Sequence, residues 1–216
     1  GTAQSNIVVA NTVRSNNVYG IYVASTSADK NTIVGNTIDG KGYQDVGIAM
    51  AGGDNSLVSN NTIRKHTGAG LHVFGPMTNS RFLANTLVSN AGANARLENE
   101  GFDRNVFAGN SSRGSGSVGV YLPSGPDRNI LSNNLVVRNS ADGILLRHDA
   151  NSNRLVGNTV ISNLGTGILM NFDGGPNHTY NVAVRNSVAR NAVGFLFNGG
   201  ERTNSVLNNV IYANTG

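Results

Sequence analysis

The sequence contains no cysteine, no tryptophan and only four prolines among 216 residues. The absence of cysteine excludes a disulfide scaffold, a thiolate metal site and a cysteine nucleophile. Charged residues make up only 13% of the chain and aromatic residues 6%. No apolar run approaches the roughly 18 residues that would span a membrane. The 38% of hydrophobic residues and the formal net charge of +4 still predict a chain that collapses into a folded domain.

Asparagine and glycine are abundant, with 34 Asn (about 16%) and 28 Gly. Both are poor helix formers, so a helical protein is excluded and a turn-rich, all-β domain is expected. The asparagines belong to a repeat of the form N-x-h-x-x-N-x-h-x-x, where h is apolar, followed by a variable stretch and G-h-x-h. The repeat recurs about every 25 residues. Its second polar column is asparagine in all nine copies: Asn11, Asn36, Asn61, Asn85, Asn110, Asn134, Asn158, Asn186 and Asn209.

The first and third polar columns are less uniform. The first is Asn6, Asn31, Ser56, Ser80, Asn105, Asn129, Asn153, Asn181 and Asn204. The third is Asn16, Lys41, His66, Asn90, Ser115, Asn139, Asn163, Asn191 and Asn214. The glycine that opens the last strand is present in every copy that carries this strand except one, where Asn94 replaces it.

Apolar residues alternate between these columns with the period of two that is typical of a strand. Each repeat therefore predicts three short strands, and one repeat cannot bury its own apolar face. Stacked repeats solve this problem by forming a solenoid with parallel, in-register strands about 4.8 Å apart. We predict an all-β, single-stranded parallel β-helix of about nine coils. In it, asparagine adopts left-handed backbone at the turns and forms hydrogen-bonded ladders.

This repeat resembles that of the right-handed parallel β-helix proteins of the pectate-lyase-like superfamily. The likeness is to the NosD-like and carbohydrate-binding and sugar hydrolase type, a style also seen in alginate epimerases. It covers residues 6 to 214. The resemblance implies that the outer face of the glycine-led strand holds a polysaccharide groove. It does not select an activity, because the superfamily contains lyases, hydrolases, epimerases and adhesins.

Two outward columns on this strand carry the candidate site residues. Spacing along successive coils predicts a vertical trio of His72, Arg96 and Tyr121. Elimination and C5 epimerisation of a uronate both need a cation for the carboxylate, a base for the C5 proton and an acid. We assign these roles to Arg96, His72 and Tyr121, respectively. Six neighbouring residues are predicted to bind substrate: Tyr22, Phe74, Glu98, Arg147, His148 and Asp149.

Three functions remain open: an extracellular lyase or epimerase of acidic polysaccharide, a glycan-binding module without activity, and a structural or surface β-helix. The Asp-Pro-His motif of alginate epimerases is missing, and the acids are too scattered to assign a metal site or a cofactor. Basic residues at the repeat corners, among them Lys30, Arg104 and Arg128, form either a stripe for an acidic polymer or a solvated edge. Nucleic acid is disfavoured, because stacking aromatics are scarce and no basic run occurs.

The expected organisation is a single β-helix domain over residues 1–216. No capping segment is recognisable at either end, so we expect a segment of a larger protein, or a unit whose uncapped ends stack on copies of itself into fibres. The predicted location is extracellular or on the cell surface, with no membrane partner.

Overall fold

The computed structural model describes residues 4–171, 179–199 and 203–215, and within them the chain forms only strands and turns. Three long parallel sheets run along a solenoid, one strand per coil in each sheet. Sheet one contains Ile7–Val9, Thr32–Val34, Leu57–Ser59, Arg81–Leu83, Val106–Ala108, Ile130–Ser132, Arg154–Val156, Val182–Val184 and Ser205–Leu207. Sheet two contains Thr12–Arg14, Thr37–Asp39, Thr62–Arg64, Thr86–Val88, Ser111–Arg113, Leu135–Val137, Thr159–Ile161, Ser187–Ala189 and Val210–Tyr212.

Sheet three is built from the glycine-led strands. Its members are Tyr19–Val23, Val46–Met50, Leu71–Val73, Ala95–Leu97, Val120–Leu122, Ile144–Arg147, Thr166–Asn171 and Val193–Asn198. We number the coils one to eight by these strands. A short fourth pair, Met77–Thr78 with Phe102–Asp103, links coils three and four. The predicted parallel β-helix with three strands per coil is confirmed.

The core is a set of continuous apolar stacks, because every strand of a sheet pairs in register with its counterpart one coil away. In sheet one, for example, Ile33 pairs with Val8 and Val58, and the buried Phe82 pairs with Phe107. Branched aliphatic side chains suit this pleated, buried surface. Three phenylalanines pack together in the interior, where the Phe82 ring centroid lies 6.0 Å from that of Phe102 and 6.3 Å from that of Phe107.

Asparagine side chains link each coil to the next. The backbone amide of Asn110 donates to Oδ1 of Asn134 at 2.9 Å, and its Nδ2 donates to the Phe82 carbonyl. The same pattern repeats along the second polar column, and the first column is continuous through Ser56 and Ser80 as well. A buried amide thus satisfies backbone groups that the turns leave unpaired.

Two details of the sequence prediction are wrong. The residues with left-handed backbone are those just before the ladder residues, such as Ala10, Asn60 and Asn133 with φ near 55°. The ladder asparagines are selected for their hydrogen bonds instead. Lys41, assigned to the third column, lies exposed in a turn with φ 51°, and the buried amide of that coil belongs to Gln44.

Candidate functional site

The predicted trio lies on the outer face of sheet three, on three consecutive coils. Arg96 pairs in register with His72 on one side and with Tyr121 on the other. The glycine-led strands alternate between core and solvent, so these three residues point away from core neighbours such as Leu71, Val73 and Leu97.

Glu98 joins two members of the trio. Its Oε1 lies 2.6 Å from His72 Nε2, and its Oε2 accepts a hydrogen bond of 2.7 Å from Arg96 Nε. The side chain of Glu98 is 21% exposed, that of His72 22% and that of Arg96 45%. Burial favours the neutral acid, but the hydrogen bonds from His72 and Arg96 outweigh burial and lower the pKa of Glu98. Glu98 is therefore a carboxylate at neutral pH.

An ionised Glu98 fixes the tautomer of His72. A carboxylate only accepts hydrogen bonds, so His72 Nε2 carries the proton that it donates. In the neutral imidazole, the unprotonated nitrogen is then Nδ1. The sequence predicts that Glu98 binds substrate. In the structure its carboxylate contacts both His72 and Arg96 and orients these two side chains.

Tyr121 is held from two directions. Arg147 Nη1, one coil further on, donates a 3.0 Å hydrogen bond to the Tyr121 hydroxyl, and the Arg96 guanidinium carbon lies 5.8 Å from the ring centroid. The ring also packs against a small apolar cluster on the outer face that includes Val118 and Leu145. These contacts fix the phenol between two cations.

Aromatic side chains continue the site toward coil one. The Phe74 ring lies 5.2 Å from the His72 ring and 6.2 Å from that of Tyr22, and Tyr22 contacts Tyr19 at 4.5 Å. Tyr22 is 45% exposed. Contacts therefore run without a break from Tyr19 to Arg147 over six coils, and we call this set of side chains the groove cluster: Tyr19, Tyr22, Phe74, His72, Glu98, Arg96, Tyr121 and Arg147.

Tyr19 belongs to the groove cluster although the sequence pattern does not predict it. The contacts described above do not include His148 and Asp149, which the sequence predicts to bind substrate. Tyr19 directly precedes Gly20, at a position that is not part of either predicted outward column. Its aromatic side chain is the sequence feature that could have indicated a contact with the site. His148, with φ 52°, and Asp149 lie half-buried in the turn directly after Ile144–Arg147. Their part in binding stays a prediction.

Coil four, which supplies Arg96 and Glu98, departs from the repeat. Its strand pairs with the next coil only through Ala95 and Arg96. Asn99, directly after Glu98, adopts φ 137°, which is a strained value for any residue other than glycine. The Asn99 side chain accepts a hydrogen bond from the Gly101 amide, which stabilises this turn. Backbone strain next to Glu98 is consistent with a site that fixes this carboxylate.

Two further features are absent from the described part of the chain: a metal-binding cluster and a membrane-spanning helix. No three His, Cys, Asp or Glu side chains within residues 4–171, 179–199 and 203–215 converge in a way that could hold a metal ion. The same ranges contain no helix long and apolar enough to cross a membrane.

A parallel solenoid with a cluster of ionic and aromatic side chains on the outer face of one sheet defines the class of the protein, and its sequence identifies the family. Residues 2–136 match the family described as right handed beta helix region, and residues 97–216 match the family described as periplasmic copper-binding protein (NosD). The chain belongs to the right-handed β-helix family, with a NosD-type second half. None of the curated proteins matches it.

Several solved structures share the fold at low sequence identity. A double mutant of the periplasmic alginate epimerase AlgG is 15% identical with a TM-score of 0.84, and the match covers 94% of this chain and 50% of AlgG. The A-module of the mannuronan C-5 epimerase AlgE6 from Azotobacter vinelandii is 12% identical with a TM-score of 0.74, covering 96% and 64%. DFA-IIIase from Arthrobacter chlorophenolicus, solved with GF2, is 16% identical with a TM-score of 0.63, covering 99% and 58%. The chain thus spans about half the length of AlgG.

Proposed function

We propose that this chain is a polysaccharide-binding β-helix that modifies an acidic glycan at the groove cluster, as a C5-epimerase or a lyase. The observation that carries the proposal is the bridge of Glu98 between His72 and Arg96, beside a tyrosine held by Arg147. The structural similarity to AlgG and to the AlgE6 A-module, which are named as epimerases of alginate and mannuronan, supports modification of a glycan. The periplasmic names of the NosD family and of AlgG support a location outside the cytoplasm.

Each side chain has a role that follows from its contacts. The outer nitrogens of Arg96 neutralise the uronate carboxylate, because its Nε is already engaged by Glu98. His72 Nδ1 takes the C5 proton, and the electron pair of the broken C–H bond delocalises into the neutralised carboxylate. Glu98 stabilises the imidazolium that forms.

The second half of the reaction belongs to Tyr121. In epimerisation, the phenol returns a proton to C5 from the opposite face. In elimination, the same phenol gives its proton to the leaving glycosidic oxygen as the C–O bond breaks and a C4–C5 double bond forms. The Arg147 hydrogen bond to the phenol oxygen stabilises the negative charge left there in either case.

The direct test is activity on defined polyuronates. The purified chain is incubated with alginate and with polygalacturonate, each untreated and partly carboxyl-reduced. Absorbance of an unsaturated product reports elimination, and the uronate ratio measured by NMR reports epimerisation. Tyr121→Phe keeps the ring packing and removes only the hydroxyl, so we expect turnover to fall by about a hundredfold or more. Thermal unfolding of the variant controls for folding.

The alternatives give different results in the same experiment. Retention of the glycan with no product would support a binding module without catalysis. Filaments seen by electron microscopy, with no retention of any glycan, would support the structural β-helix that stacks end to end. Full activity of Tyr121→Phe would contradict the assigned role of the phenol.

A further inference from the structure

Charged side chains in the groove are confined to its middle. In the two outward columns of sheet three, the described residues with basic or acidic side chains lie only on coils three to six; they are His72, Arg96, Glu98 and Arg147. The outward residues of the flanking coils are neutral: Tyr22, Ala24, Ala49 and Ala51 on coils one and two, and Leu169, Asn171, Leu196 and Asn198 on coils seven and eight.

The two flanks differ from each other in chemistry but not in charge. On coils one and two, the exposed surface is aromatic: the Tyr22 ring lies 6.2 Å from the Phe74 ring, whereas Ala49, which pairs in register with Tyr22, and Ala51 are buried. On coils seven and eight, Leu169 and Leu196 pair in register, beside an amide pair in which Asn198 Nδ2 donates to Asn171 Oδ1 at 2.8 Å. Aromatic and aliphatic surfaces bind the apolar faces of sugar rings, and amides bind hydroxyl groups.

A homopolymer of uronic acid does not match this pattern. Strands of neighbouring coils stand about 4.8 Å apart, which is similar to the length of one pyranose ring in an extended chain laid along the coils. Each coil along the groove would then face about one carboxylate. At the described outward residues of the flanking coils, these carboxylates would leave water for tyrosine and leucine side chains, and neither outward column offers a described cation there to replace hydration, which is unfavourable.

We infer that the glycan of this groove carries isolated acidic sugars, with neutral sugars on both sides of each one. One uronate meets Arg96 and His72 at the centre, and its neutral neighbours lie on the aromatic and aliphatic flanks. This inference rests on the proposed function and specifies its substrate class, a sparsely charged heteropolysaccharide rather than a polyuronate.

The test varies the spacing of the carboxylates while the sugar backbone stays the same. Alginate and polygalacturonate are each prepared untreated, partly carboxyl-reduced so that most remaining uronates stand alone, and fully reduced. Binding to the intact chain is measured by titration calorimetry. We expect the partly reduced polymers to bind about tenfold more tightly than the untreated and the fully reduced ones.

Each result has a distinct meaning. If the untreated polyuronate binds most tightly and affinity falls steadily with reduction, the inference is overturned while the proposed function stands. If neither backbone binds in any form, the proposed function is overturned together with the inference. A maximum at partial reduction supports both.

A charge-adding variant provides an independent check. Leu196→Arg places a cation on a flank at a side chain that is 38% exposed. We expect it to raise affinity for untreated polyuronate about threefold to tenfold, whereas the neutral Leu196→Gln should not. Asn79→Arg adds the same charge at an exposed corner whose equivalents are Arg104 and Arg128. An equal gain from Asn79→Arg would show that only net charge matters and would contradict the inference.

Discussion

His66 occupies a buried position in the third polar column, where the next coil carries Asn90 and the preceding coil carries Gln44. The imidazole is 2% exposed, and its backbone amide donates to Asn90 Oδ1. The ring lies against Gly40 and Gly47, where any added Cβ would come within 3 Å of its nitrogens. Burial lowers the pKa of His66, and the carboxylates of Asp39 and Asp45 offset this only in part.

The lowered pKa of His66 predicts a loss of stability in mild acid. Below the ordinary histidine pKa of about 6.5, the unfolded chain binds a proton that the folded chain resists, so stability falls as pH falls toward the lowered value. His66→Asn supplies the side chain that the column uses elsewhere and removes this titration. Urea unfolding between about pH 7.5 and about pH 5 should show a flatter pH dependence for the variant. Equal slopes would mean that His66 does not contribute.

Asn134 illustrates how much one ladder side chain does. Its Oδ1 accepts from the backbone amide and Nδ2 of Asn110, while its own Nδ2 donates to the Phe107 carbonyl and to Asn158. Asn134→Ala leaves several buried polar groups without a hydrogen-bond partner, so we expect the free energy of unfolding to fall by about 3 kcal/mol or more. Asn133→Ala is the matched control, because alanine already occupies equivalent left-handed positions at Ala10 and Ala84. Comparable losses in the two variants would refute the ladder explanation.

At the level of the strand, the glycines of sheet three face the next coil of sheet two. A Cβ on Gly119 would lie 2.5 Å from Val136 Cγ1, and Gly143 and Gly167 meet Val160 and Val188 in the same way. Asn94 is the exception, and its neighbour in the next coil is Ser112, which interrupts an apolar column. Asn94 Nδ2 donates to Ser112 Oγ at 3.1 Å, so the two irregular residues compensate each other.

This compensation predicts coupled mutations. Ser112→Val alone pushes a branched side chain against Asn94, and Asn94→Gly alone removes partners from Asn90 and Ser112. We expect each single change to lower the free energy of unfolding by about 1–3 kcal/mol. The double change recreates the pairing of Gly119 with Val136, so it should lower the free energy of unfolding by about 0.5–3 kcal/mol less than the sum of the two single changes. Strict additivity in denaturant unfolding would contradict direct coupling.

Strand placement was predictable from the sequence, because period-two burial and invariant spacing leave one register. The register alone aligned His72, Arg96 and Tyr121 correctly. The contacts of Glu98 were not predictable, since they depend on where Asn99 turns the chain and on side-chain reach. The left-handed residues were misassigned because asparagine fits both a tight turn and a ladder, and only coordinates distinguish the two uses.

For the whole molecule, most of the positive charge lies outside the groove. The 16 Lys and Arg residues exceed the 12 Asp and Glu residues and give a net charge of +4, yet only Arg96 and Arg147 belong to the groove cluster. Lys30, Arg104 and Arg128 are at left-handed corners before sheet one. Aspartates of the same corners bond the backbone between coils, as in the Asp127 amide donating to Asp103 Oδ1. An aspartate directly precedes each of these three basic residues, namely Asp29, Asp103 and Asp127, so opposite charges adjoin at these corners, which favours a solvated edge over a basic stripe.

This distribution predicts which arginines control glycan binding. The double variant Arg104→Ser and Arg128→Ser lowers the net charge by two, and we expect unchanged affinity for a partly carboxyl-reduced polyuronate. Arg96→Gln and Arg147→Gln each remove one cation from the groove, so each should weaken binding about tenfold and flatten its dependence on salt. Calorimetric titrations at low and at physiological ionic strength measure both effects. If the corner variant loses as much affinity as the groove variants, the glycan binds the corner stripe and not sheet three.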